Sequence, residues 1–271
     1  MMWTTPRKQM PVRPQRGRNK MSDTQKTVHL IVQRQDLPDC KPYTEEFVVP
    51  WSLGMNVVSA LMEVQKNPVT KEGKQTKPVV WECNCLEEVC GACAMIINGV
   101  PRQACSCLVD SVTQPIRLAP LSKFPVVRDL MVDRQKMFDN LKKVQAWVAI
   151  DTTADLGPGP RMSRSQQEEV YPLSRCMTCG CCMEACPNFN DKSAFLGPAP
   201  VAQVHLMNQH PTGAMQKDSR LEALMGPGGI AGCGNAQNCV EVCPKDIPLT
   251  TSLAKLNRQV NKFALSKLFD K

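Results

Sequence analysis

The chain has 271 residues, 42% of them apolar and 21% charged, enough for one large domain or two smaller ones and too apolar for wholesale disorder. Its longest apolar run, Val89 to Ile97, is under half of the ~20 residues that a spanning helix needs, which excludes a helix that crosses a membrane. The formal charge of +8 sits mostly in the first twenty residues, which carry six basic side chains and no acid; the remaining 27 basic residues face 25 acids, so the body of the chain is close to neutral.

Residues 1–21 are accordingly expected to be a basic, disordered tail, or to lie upstream of a true start at Met21. No apolar segment follows the basic start, as a signal peptide would require. Val28, Leu30 and Val32 alternate along Thr27 to Arg34 and predict a strand, and Glu46 to Val49 predicts a second. Asn56 can cap a short helix carrying Val58, Leu61 and Met62 on one face. Val79 to Glu82 reads as a strand, followed by a dense cysteine loop. Ala94 to Ile97 reads as a strand that turns at Asn98-Gly99, and Pro115 to Ala119 as another. This order predicts a small α+β domain over residues 22–122.

The texture then changes. Val127, Leu130, Met131, Phe138, Leu141 and Val144 recur at helical spacing and predict one long helix from Val127 to Val148. Asp155 to Pro160 is a Gly/Pro break. Short helical pieces with two cysteine clusters come next. A last amphipathic helix, Thr250 to Leu268, places Leu253, Leu256, Val260 and Leu268 on one side. Residues 123–271 therefore read as a mostly helical second domain.

Fifteen cysteines stand against three histidines. A disulfide scaffold is a device of short secreted chains, so cysteines at this density point to metal. The first set is Cys85-x4-Cys90-x2-Cys93 followed after eleven intervening residues by Cys105, the plant-type [2Fe–2S] ligand pattern apart from its shorter last gap. A four-residue gap lets the chain wrap a diiron core, and Gly91 and Ala92 keep side chains out of the way. The second set, Cys176-x2-Cys179-x2-Cys182-x3-Cys186-Pro187, is the bacterial ferredoxin run, whose fourth cysteine serves another cluster. The third set repeats that run with one ligand missing: Cys233, Cys239 and Cys243-Pro244 are present, and Ala236 stands where the second cysteine belongs. Cross-ligation then gives Cys176, Cys179, Cys182 and Cys243 to a [4Fe–4S] cluster. Cys186, Cys233 and Cys239 are left as three thiolates, which suit [3Fe–4S].

Cys40, Cys83, Cys107 and Cys181 are left over and are read as free thiols behaving as small hydrophobes. His29 is read as structural; for His205 and His210 a role as ligand or quinone donor is the lesser reading, since no cluster pattern includes them, and the fifteen methionines are read as core filler. No dinucleotide fingerprint, phosphate loop or Ser/His/Asp set is present. The chain's own chemistry is electron transfer. A zinc-bearing nucleic-acid protein is the alternative from another class. It is opposed by the Cys-Pro endings, the lack of histidine ligands and the near-neutral body, so no nucleic-acid partner is expected.

A [2Fe–2S] domain followed by a helical [4Fe–4S]/[3Fe–4S] domain resembles the iron–sulfur subunit of succinate dehydrogenase and fumarate reductase. The likeness runs from Lys26 to Leu268 and includes the stretches Asn84 to Cys93, Asp129 to Arg134 and Asp218 to Glu222. The wording Leu86-Glu87-Glu88-Val89-Cys90-Gly91-Ala92-Cys93 is most similar to the subunit of Gram-positive bacteria such as the bacilli. The resemblance implies an N-terminal β-grasp domain and an all-α ferredoxin-like domain. It also implies a place in the tricarboxylic acid cycle. A partner flavoprotein would oxidise succinate at covalent FAD, and electrons would pass through [2Fe–2S], [4Fe–4S] and [3Fe–4S] to quinone in a membrane anchor. A fumarate reductase subunit, working in the opposite direction, is the alternative within the family. Relatives from enteric bacteria place a Trp and a His at the quinone site, where this chain has Asp191 and Gly234. Only Pro187 of that set remains. The resemblance therefore implies menaquinone reached through a diheme cytochrome b anchor, with the subunit peripheral on the cytoplasmic face of the cell membrane.

Overall fold

The computed structural model describes residues 26–149 and 161–269; the basic start at 1–21 and the Gly/Pro break at 155–160 lie outside them. Strand β1 (Thr27–Arg34) pairs antiparallel with β2 (Tyr43–Pro50), and Val28, Leu30 and Val32 point into a core at every second position. Helix α1 (Val57–Lys66) starts as expected at Asn56, whose side chain accepts a hydrogen bond from the Ser59 amide. It buries Val57, Val58, Leu61 and Val64 against the sheet. Strands β3 (Ala94–Ile97) and β4 (Val100–Gln103) form a two-residue hairpin at Asn98-Gly99, both residues at positive φ as a type I′ turn demands. β5 (Ile116–Ala119) runs parallel to β1 and antiparallel to β3, which completes a sheet of order β2-β1-β5-β3-β4 curled over α1. This is the β-grasp arrangement that the resemblance implies.

Two expected elements are different in the structure. Val79 to Glu82 joins no ladder: the Val80 amide donates to the Asp129 carboxylate at 2.9 Å, and the Val80 carbonyl accepts from Leu130. The long helix over Val127 to Val148 is instead a small hairpin, β6 (Val126–Arg128) and β7 (Met131–Val132), followed by α2 (Gln135–Lys143). Asp129 is the physical reason. It takes φ +47° at the turn, and its buried carboxylate accepts from Arg34 Nε at 2.8 Å and from the Gln35 and Val80 amides. Long-range partners thus outweigh local helical spacing. Leu130 packs in the core beneath the five-stranded sheet, and Val132 two residues on packs in a separate core shared with the helical half.

The second half is helical: α3 (Arg164–Ser174), α4 (Cys181–Ala185), α5 (Pro198–Gln209), α6 (Lys217–Met225), α7 (Asn238–Glu241) and α8 (Leu249–Phe269). Helix α5 is central, buried on several sides between α3, α6 and α8. Leu253, Leu256 and Val260 of α8 are buried as their spacing predicts, whereas Leu268 lies beyond the core and is 69% exposed. Among the described residues no helix is long and apolar enough to cross a membrane.

Candidate iron–sulfur centres

The first cysteine set is assembled by a loop and a hairpin. Leu86, Glu88 and Gly91 all take positive φ, so the chain winds around Cys85 with its amides turned inward. The N–H groups of Glu87, Val89 and Cys90 donate to Cys85 Sγ at 3.4, 3.3 and 3.3 Å, and together they bring that thiol down to about 7. Cys93 precedes β3 and Cys105 follows β4, so the hairpin returns one beside the other, and the Cys105 amide donates to Cys93 Sγ at 3.5 Å. Burial pushes the Cys93 thiol up to about 12. Cys85 and Cys90 are half-buried and lie at the rim, flanked by exposed Leu86 and Val89.

The other two sets surround two cavities in the helical half. One is lined by Cys176, Cys179, Cys182 and Cys243. The other is lined by Cys186, Cys233 and Cys239 together with Pro187, Gly234 and Ala236. The two runs exchange their last cysteines. Cys182 lies on α4 and Cys186 at its C-terminal end, yet they border different cavities; Cys239 lies on α7 and borders one cavity, while Cys243, just beyond α7, borders the other. Packing of α4 against α7 produces the exchange. Pro187 and Pro244 turn the chain away immediately after each run.

These donor sets fit sulfur-ligated iron. Among the described residues no carboxylate lines either cavity, and no three Cys, His, Asp or Glu side chains approach closely enough to hold a single ion. Thiols spread around a void suit a polynuclear cluster better than one tetrahedral zinc. Burial raises the Cys182 thiol and brings Cys239 up to about 11, so loading of iron releases protons from groups that otherwise stay neutral.

Of the leftover cysteines, Cys40 and Cys83 are exposed, while Cys107 and Cys181 are buried. Asp191 points to solvent beside Lys136, away from the cavity that Gly234 lines. Sequence reasoning missed Asn188, which lines the third site and donates to the Gly232 carbonyl at 2.8 Å. It also missed Arg134, whose guanidinium donates to the Gly91 and Ala92 carbonyls at 2.7 and 3.0 Å and to Glu82 at 2.6 Å. Arg134 falls inside the stretch with helical spacing, where no local pattern distinguishes it. Gln103, wholly buried between the first and second sets, is missed because its partner Cys181 lies 78 residues away.

A β-grasp cysteine loop joined to two crossed cysteine runs defines an iron–sulfur electron-transfer protein. The sequence model described as a 2Fe-2S iron-sulfur cluster binding domain matches residues 29–139, and the 4Fe-4S dicluster domain matches residues 172–247. The succinate dehydrogenase iron–sulfur subunit of Bacillus subtilis is 61% identical over 245 residues, covering 90% of this chain and 97% of the relative. The fumarate reductase iron–sulfur subunit of Wolinella succinogenes is 28% identical, covering 81% and 90%. A chain of the Mycobacterium smegmatis Sdh1 complex in the apo form superposes with a TM-score of 0.68 at 25% identity, covering 87% of this chain and 96% of that one. The chain belongs to the family of succinate dehydrogenase iron–sulfur subunits. It is an electron-transfer subunit with [2Fe–2S], [4Fe–4S] and [3Fe–4S] clusters.

Proposed function

We propose that Cys85, Cys90, Cys93 and Cys105 hold the [2Fe–2S] cluster, Cys176, Cys179, Cys182 and Cys243 the [4Fe–4S] cluster, and Cys186, Cys233 and Cys239 the [3Fe–4S] cluster. The observation that carries this reading is the exchange of Cys186 and Cys243 between two adjacent cavities, one lined by four cysteines and the other by three plus Ala236. When bound, the clusters supply one-electron redox chemistry. The chain's own residues hold them in order, direct amides at the outer thiolate of Cys85, and keep water from the inner pair. Residues 22–122 form the [2Fe–2S] domain on this reading, and residues 123–271 the domain of the other two clusters.

The subunit works between a flavoprotein carrying FAD and a membrane anchor, in the direction of succinate oxidation. The half-exposed Cys85 rim with Leu86 and Val89 faces the flavoprotein. The three-cysteine cavity, with Pro187 at its edge, faces a cytochrome b anchor on the cytoplasmic side of the membrane. Menaquinone is the acceptor, because Asp191 and Gly234 occupy the positions that enteric relatives fill with Trp and His. The test is succinate-driven quinone reduction by the purified complex with its co-purifying subunits. Faster turnover with a menaquinone analogue is expected; clear preference for ubiquinone contradicts the assignment of the acceptor.

A further inference from the structure

One buried side chain joins the first cysteine set to the second. Gln103 ends β4, where its backbone is fixed in the ladder opposite Ala94, and its amide is fully buried. Its Oε1 lies 3.5 Å from Cys93 Sγ and its Nε2 lies 3.6 Å from Sγ of Cys181, the first residue of α4. Cys181 is itself a hydrogen-bond neighbour of Cys179 and belongs to no proposed ligand set. Cys93, Gln103, Cys181 and Cys179 thus form a row of polar side chains that links the first cysteine set to the second.

As free thiols, Cys93 donates its S–H to the amide oxygen and Gln103 donates its N–H to Cys181. A cysteine that holds iron is a thiolate with no proton to give, so an oxygen facing it is repelled. Turned end for end, the amide presents Nε2 as donor to Cys93, and Oε1 accepts the single Cys181 S–H, which then turns away from Cys179. We infer that Gln103 is a positioning residue for electron transfer between the first two clusters, its amide donating to the iron-bound sulfur of Cys93 while Cys181 anchors it from the second site. This rests on the assignment of Cys93 to the diiron cluster. A donor to that sulfur stabilises the reduced, more negative cluster and so raises its potential.

The experiment is a redox titration by EPR of the whole complex carrying Gln103→Met, which keeps length and bulk and removes the amide. The diiron centre becomes about tenfold harder to reduce, a 59 mV fall for a one-electron couple, while the three-iron centre stays in place. Cys181→Ala removes the anchor and shifts the same centre in the same direction by less; it carries the test if Gln103→Met fails to load iron. A diiron potential unmoved in a loaded variant overturns the inference, as does an equal shift of the three-iron centre, which marks a general disturbance. Wild-type complex lacking a diiron signal refutes the ligand assignment instead, so the two failures are distinct.

Discussion

Gly91 is where the first cysteine loop touches the second. A Cβ built there would lie 2.8 Å from the Met177 carbonyl oxygen, 2.9 Å from Cys179 Cβ and 3.0 Å from Cys179 Cα, with φ at +75°. Those neighbours are backbone or rigidly attached to it, so Gly91→Ala must push the two loops apart by about half an ångström to restore ordinary contact. Two costs combine. The left-handed backbone costs an L residue about 1–2 kcal/mol, and overpacking adds about 1–3 kcal/mol. Gly73 separates the terms, because it has φ +83° and open space for 4 Å around the position a Cβ would take, so Gly73→Ala carries the backbone cost alone. The assay is differential scanning of the loaded complex, where about 2–4 °C of melting temperature corresponds to 1 kcal/mol in a domain of comparable size. Gly91→Ala is expected to melt at least about 2 °C below Gly73→Ala, from the lower bound of the packing term. It should also slow reduction of the three-iron centre by succinate. Equal melting temperatures for the two variants would refute the claim that the cysteine loops meet at Gly91.

Three further outcomes follow from the same geometry. Asp129→Ala strands the fully buried Arg34 guanidinium with only Glu45 as counter-charge, and should cost about 3–5 kcal/mol in urea unfolding; a midpoint within error of wild type contradicts the ion-pair account. His205 is buried with Nδ1 unpartnered, and burial lowers its pKa below the usual 6.5 despite Glu169 at 3.2 Å; Glu169 is lowered chiefly by its bond to Lys255. Both groups bind fewer protons folded than unfolded, so stability falls as pH drops below about 6.5 and again below about 4.5. His205→Gln should flatten the first of these losses in melting scans at stepped pH, and an unchanged slope there counts against it. Ala236→Cys supplies a fourth thiolate to the three-cysteine cavity and should raise iron content while removing the oxidised three-iron EPR signal; persistence of that signal places Ala236 away from the open corner.

Much of this arrangement is legible in the sequence because it is written in local periods. The alternation of Val28, Leu30 and Val32, the Asn56 cap, the Asn98-Gly99 turn and the face of α8 each depend on neighbours a few positions away. The cysteine spacings are legible for a different reason, since a cluster of fixed size imposes fixed gaps. The stretch from Val127 to Val148 misleads because a short hairpin and a nine-residue helix happen to present apolar residues at helical intervals. What decides its shape is Asp129 bonded to Arg34, 95 positions away. Gln103 and Arg134 escape notice for the same reason: each acts on partners distant in sequence, 78 residues away at Cys181 and 43 at Gly91, and no period announces such pairs.

The claim that this chain carries three clusters in sequence is tested most directly by EPR on the complex purified without oxygen, followed through stepwise reduction. An oxidised three-iron signal that vanishes on mild reduction, with diiron and cubane signals emerging at lower potential, is the predicted result. A silent sample with zinc near stoichiometry and no iron would contradict it.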